Sequence, residues 1–115
     1  MIAFSKRFDP SEWQAETGKV QPVLFGVRDR MANDLIDNVL KKGMSREAVE
    51  NLLGRPDVVR DYGAMDGTDI FPSIQKGDEV WLYSVKSGVA SYGFKDVLLL
   101  MKSNKLSDFQ VDAYP

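Results

Sequence analysis

The sequence contains no cysteine and no histidine in 115 residues. That double absence excludes disulfides, thiol nucleophiles, zinc sites of the usual ligand set and histidine general-base chemistry together. No run of lysine and arginine stands out, and 15 basic against 17 acidic residues leave a net charge of −2. A general attraction for nucleic acid or anionic lipid is therefore absent. The glycines form neither a Walker loop nor a dinucleotide fingerprint. No stretch approaches the roughly 20 apolar residues of a membrane span. The first residues lack the positive, then apolar, then small arrangement of a secretory leader, so the expectation is that this chain carries none.

What is present suits one modest core: 43% of the residues are hydrophobic, enough for a single small domain. The chain is organised around Gly43 to Asp57, a short helix with both ends written out. Ser45 offers its hydroxyl as an N-cap. Met44 and Val49 have the spacing of a hydrophobic staple. Glu47 places negative charge in the first turn, where the helix dipole favours it. Ala48, Val49, Leu52 and Leu53 make one apolar stripe, Gly54 suits the left-handed residue that ends a helix, and Pro56 forbids continuation.

Before this stretch, Asp9-Pro10-Ser11-Glu12 reads as a capped helix start, with Trp13 as its buried residue and Gly18 as its stop. Gln21 to Gly26 is read as extended. From Val27 the period is helical: Val27, Met31, Leu35 and Val39 fall four apart, with Ala32, Ile36 and Leu40 alongside. Arg28, Asp29, Arg30, Asn33, Asp34, Asp37 and Asn38 are assigned to the solvated face. Lys41, Lys42 and Gly43 are read as the helix end, leading straight into a tight helical corner.

After it, Val58 to Tyr62 reads as an edge strand, and Gly63 to Gly77 as a long loop of the kind that is usually functional or mobile. Glu79 to Val85 is a strand with Trp81, Tyr83 and Val85 on one face and Val80 and Leu82 on the other. A turn is expected at Lys86-Ser87-Gly88. Phe94 to Lys102 holds the apolar run Val97 to Met101, so both its faces need cover. Ser103-Asn104-Lys105 is a turn, and Leu106 to Val111 a last strand. Asp61, Asp66 and Asp69 lack the register of a calcium loop. Glu47 and Glu50 are accounted for by the dipole and by exposure. No metal, cofactor or catalytic residue is expected.

Gly43, Met44, Ser45, Val49, Leu52, Leu53, Gly54 and Pro56, followed by Trp81-x-Tyr83 and then the strand Val97 to Met101, form an ordered set. Over roughly Leu35 to Val111 it resembles the small-protein-A/outer-membrane-lipoprotein-A (BamE-like) family. The resemblance implies an α+β fold. Two consecutive helices would pack on one face of a three- to four-stranded antiparallel sheet. Residues 1–26 would form an N-terminal extension with a short helix, and residues 27–115 the family domain. It also implies a non-enzymatic protein-interaction domain, the periplasmic part of an envelope lipoprotein concerned with outer-membrane assembly or maintenance. Family members attach to the membrane through a lipidated cysteine. The location expected is thus the periplasmic face of the outer membrane if a lipobox cysteine precedes Met1, and the cytoplasm otherwise.

The apolar strand surface exceeds what two short helices can cover, which points to a protein partner, a second copy, or cover by the segment around Trp13 and Phe25. The candidate contacts are Val80, Leu82, Leu98 and Leu100 on the sheet, with Ile70, Phe71 and Ile74 in the loop beside them. The competing function is a soluble inhibitor or immunity-type protein that binds an enzyme through the same face and the acidic loop.

Overall fold

The fold is α+β with a four-stranded antiparallel sheet in the order β1-β2-β3-β4. It is seen in a computed structural model that describes residues 7–15, 27–61, 71–85 and 94–114. Expectations for Gly18, residues 21–26, Tyr62, the first part of the long loop and the 86–88 turn fall outside those residues.

Helix α1 is Pro10–Ala15 and α2 is Val27–Asp34, which continues as a single π-helical stretch over Leu35–Val39. Helix α3 is Arg46–Leu53. The strands are β1 Val58–Asp61, β2 Glu79–Ser84, β3 Phe94–Lys102 and β4 Lys105–Tyr114.

The caps form as their residues dictate. The Asp9 carboxylate accepts from the Glu12 amide at 3.1 Å. The Ser45 hydroxyl accepts from the Ala48 amide at 3.0 Å, and Gly54 ends α3 with φ +72°. Two side chains from elsewhere finish that end. Gln14 Nε2 donates to the Asn51 and Leu52 carbonyls at 3.0 and 3.1 Å, and the Tyr83 hydroxyl donates to the Gly54 carbonyl at 2.8 Å. The last carbonyls of a helix have no partner inside it, so α1 and β2 supply them.

The second helix departs from its expected course. It stops at Val39, and Leu40 is already extended. The Leu40 amide donates to the Leu35 carbonyl at 2.9 Å, a five-residue step. Widening the turn brings Leu40 into the core below Leu35, while Ile36 and Val39 are only partly buried. Lys41, Lys42 and Gly43 lie in the link, whose backbone pairs with the start of β4. The Gly43 amide donates to Leu106 O at 2.7 Å, the Leu106 amide to Met44 O at 2.8 Å, and the Arg46 amide to Asn104 O at 2.8 Å.

Arg28 also departs from the reading. Assigned to the solvated face, it is 2% exposed. Its Nε donates to the Trp13 carbonyl at 3.0 Å, and one terminal nitrogen donates to Asp57 Oδ2 and to the Ser84 carbonyl, both at 2.9 Å. The guanidinium lies over the Trp13 ring at 4.7 Å. A buried arginine is tolerable because these acceptors replace water.

Strand alternation sorts the sheet into two apolar faces. Trp81, Tyr83, Val97, Leu99, Met101 and Leu106 share the main core with Trp13, Met31, Leu35, Leu40, Val49 and Leu53. Strand β4 contributes both Leu106 and, at the margin, Phe109 and Val111 to that core. Strict alternation would put 106 on the opposite face from 109 and 111. A bulge resolves this: Met101 pairs with Leu106, but Leu100 pairs with Asp108, leaving Ser107 as the extra residue. One added residue switches the parity of everything beyond it.

Candidate interaction face

The other sheet face is built by the even-numbered residues of the two central strands. Val80 stands opposite Leu100, and Leu82 opposite Leu98. Directly paired apolar side chains on one face make a continuous strip. Toward β4 the strip turns polar, with Asp108 opposite Leu100 and Gln110 opposite Leu98. Toward β1 it meets Val58 opposite Leu82 and Arg60 opposite Val80. Val58 and Val59, at 36% and 50%, are the exposed large hydrophobic residues among those described.

The long loop returns across this strip. Phe71 is fully buried in a cluster with Val80, Leu98 and Leu100, and Ile74 and Leu82 pack against it. Of the seven candidate contacts, six thus come together; Ile70 lies outside the described residues. Phe71 does not stand into solvent as an anchor: its ring fills the chain's own cluster.

The segment from Phe71 to Asp78 is two tight turns in succession. The Ile74 amide donates to the Phe71 carbonyl and the Asp78 amide to the Gln75 carbonyl, both at 3.0 Å. Gly77, at φ +97°, makes the second turn possible. Asp78 Oδ2 accepts from the Gln75 amide at 2.8 Å. Lys102, on the same face as Leu100, fastens the segment from outside. Its ammonium donates to the Ser73 carbonyl at 2.6 Å and to the Asp78 carboxylate. Asp78 is buried and Lys102 half-buried, and a hydrogen bond between two charged groups is stronger than a neutral one.

The residues of the ordered set from Gly43 to Pro56 and of Trp81-x-Tyr83 belong to the frame of the fold. Val49, Leu53, Trp81 and Tyr83 are in the main core, with Met44 and Leu52 packed against it. Ser45 and Gly54 cap α3, Gly43 has φ +95° in the link, and Pro56 is half-buried in the connection to β1. Trp81 is pinned by Glu79, which accepts from its Nε1 at 3.0 Å, and by Arg46, which lies 5.0 Å over its ring.

Glu47 and Glu50 are exposed, and Glu50 pairs with Arg46 at 3.5 Å. Asp66 and Asp69 lie outside the described residues. Among the described residues, no group of three or more histidine, cysteine, aspartate or glutamate side chains is placed to hold a metal ion, and no helix is long and apolar enough to cross a membrane.

The titrations of Tyr83 and Asp34 are displaced, both for structural reasons. The Tyr83 phenol is pushed up, first by burial and then by the Glu50 carboxylate. Asp34 is held below the usual carboxylate value, first by the Phe8 amide and then by the Asn38 side chain.

Arg28 is the residue that sequence reasoning missed. A signal for it exists: Arg28, Met31 and Leu35 have the i, i+3, i+7 spacing of a single helix face. Comparison of the chain with protein-family models, curated proteins and solved structures finds no match.

Proposed function

We propose that this chain is a non-enzymatic protein-interaction domain of the BamE-like kind, the periplasmic part of an envelope lipoprotein that serves outer-membrane assembly or maintenance. In this reading two consecutive helices laid on one sheet face, with residues 1–26 as an extension braced against them, form the scaffold of residues 27–115. The opposite face, with its loop, meets the partner. If a lipobox cysteine precedes Met1, membrane attachment comes through a lipid anchor on it; otherwise the location is cytoplasmic.

The observation that carries the reading is the second apolar cluster of Phe71, Val80, Leu98 and Leu100, separate from the main core. A sheet of this size needs one apolar face to fold. In this structure Phe71 of the same chain closes over the second apolar strip, so what is left for a partner is its edge, with exposed Val58 on the β1 side, half-buried Ile74 and Leu82 and polar residues toward β4, an apolar patch with a polar rim.

Photo-crosslinking in the native cell tests it. A photoreactive residue at Ile74 or Leu82, both half-buried at the edge of the cluster, is expected to give the same adduct, with an envelope protein. The same probe at exposed Glu47 is expected to give none. Equal adducts at all three positions, or none, would overturn the interaction face. A soluble enzyme captured at Ile74 and Leu82 would replace the envelope role with that of an inhibitor.

A further inference from the structure

We propose that the outer edge of β4 pairs with the same edge of a second copy of this chain, joining two four-stranded sheets into one antiparallel sheet centred on Val111. The inference uses the sheet's edge and does not depend on the interaction face described above.

The edge is open, and its backbone can be followed residue by residue. Strand β4 is last in the sheet, with β3 as its one neighbour. At its start the link covers it: Leu106 exchanges backbone bonds with Gly43 and Met44, so Leu106 turns its backbone outward. The bulge at Ser107 then switches the parity. The Phe109 amide donates to the Asp108 carboxylate at 2.9 Å and not to β3. Beyond the bulge, therefore, Phe109, Val111 and Ala113 turn their backbone groups outward. Among the described residues, no backbone group pairs with these three from outside. Sheet edges are normally guarded by lysine, proline or shortness. From Ser107 this edge runs to Tyr114 with neither residue, and its described guard is the Asp108 side chain on the Phe109 amide.

The order of residues along the edge selects a second copy as the occupant and fixes the register. A two-fold axis at Phe109 would drive the partner's Asp112 and Ala113 onto Leu106 and Lys105, where the link already lies. An axis at Gln110 would set Asp108 against the partner's Asp112, and one at Asp112 would set that aspartate against itself. Like charges directly opposite are destabilising. An axis at Val111 meets neither obstacle. It places Phe109 opposite the partner's Ala113 and Val111 opposite the partner's Val111, and these outward residues exchange backbone bonds. Gln110 then stands opposite the partner's Asp112, a donor matched to an acceptor. The partner's Tyr114 reaches Asp108, so the added strand stops short of the link. Phe109 and Val111 are only partly buried against the main core, and the second copy continues that core across the join. The Phe109 amide passes from the Asp108 carboxylate to the carbonyl of the partner's Ala113.

The absence of cysteine from the chain makes the register testable. Val111→Cys brings two thiols across the two-fold axis, with Cα atoms about 5.5 Å apart as in any hydrogen-bonded antiparallel pair, inside the span of a disulfide. Oxidised glutathione, as oxidant, is expected to convert most of this variant to a disulfide-linked dimer, and to link Gln110→Cys at least about tenfold less. Equal linking, or more at Gln110→Cys, would overturn the proposal. Sedimentation equilibrium supplies a second test without cysteine, which stands even if Val111→Cys fails to fold. Gln110→Lys sets a lysine against the partner's Asp112 and is expected to tighten the dimer about fivefold, while Gln110→Asp loosens it by about as much, because each change acts at two cross-strand pairs. A dimer constant that neither variant moves would place the contact elsewhere and overturn the pairing. A parent chain that stays monomeric at millimolar concentration would overturn it too, leaving a strand from another protein as the occupant of this edge.

Discussion

At the scale of single residues, most of the information lies in polar atoms that are buried and matched. Arg28 joins the carbonyls of Trp13 and Ser84 and the carboxylate of Asp57, so it ties α1, α2, the approach to β1 and the end of β2 at one point. Removing it would strand a partly buried carboxylate that also accepts from the Ser84 amide at 2.8 Å. Arg28→Met is expected to cost about 3–5 kcal/mol in urea unfolding, the range for breaking a buried pair from one side. Arg28→Lys should recover part of this at most, since an ammonium cannot reproduce the planar fork. A loss under about 1 kcal/mol, the value of an exposed pair, would show that the burial is not what matters.

Tyr83 gives a pH-dependent test. Its folded-state pKa is raised above the unfolded value of about 10, so its contribution is fully present below that pH and is lost as pH climbs through the folded value. Stability should fall above pH ~10, and Tyr83→Phe should flatten that fall while losing about 1 kcal/mol at neutral pH for the bond to Gly54. The measurement is urea unfolding at several alkaline pH values. An alkaline slope identical in the variant would assign it to other tyrosines. At this scale the caps were legible because capping needs only residue type and position. Arg28 was not, because charge was weighed above spacing.

At the scale of elements, β2, β3 and both ends of α3 follow from local pattern. Phe94–Lys102 is observed as read, and so are the two faces of β2. These elements have strong alternation or complete caps, and tertiary context has little to override. What was hidden depends on neighbours. The π-helical stretch is invisible to a search for 3.6-residue periodicity, because it breaks that period to bury Leu40. The pairing of the link with β4 depends on a strand more than 60 residues later. The Ser107 bulge is hinted at by the parity clash between Leu106 and Phe109, which a plain strand assignment passes over.

Three variants test this scale. Leu53→Ala should cost about 2–5 kcal/mol. Gly54→Val should also destabilise, since Gly54 has φ +72° and a Cβ there would stand 3.1 Å from Gln14 Cγ; an unchanged unfolding midpoint in either variant would contradict the role given to α3. Deleting Ser107 should force either Leu106 out of the core or Phe109 and Val111 onto the wrong face. Removing one large apolar side chain from burial costs about 1.5–3 kcal/mol, so the denaturant midpoint should drop by at least that equivalent. A deletion variant as stable as the parent would mean the strand beyond the bulge is not held in register.

At the scale of the whole molecule, the N-terminal segment decides how far residues 27–115 stand alone. Trp13 is fully buried beside Tyr83, Met31 and Leu53, with ring centroids 6.2 Å from Tyr83 and 5.8 Å from Phe8. The same helix supplies the Gln14 bonds to the end of α3 and the carbonyl that receives Arg28. Its weight is therefore on the helix-side core and not on the second sheet face, where Phe71 lies instead. Trp13→Ala alone should cost about 3–5 kcal/mol, a large part of the 5–15 kcal/mol that such a domain holds in total. Deleting residues 1–26 removes that ring, both Gln14 bonds and one acceptor of a buried guanidinium together. The truncated chain is expected to lose its cooperative thermal transition and to bind a hydrophobic dye through the uncovered Tyr83 and Met31. A truncated chain that melts cooperatively within about 5 °C of the full one would mean that the Trp13 helix is an appendage to a domain that is complete without it.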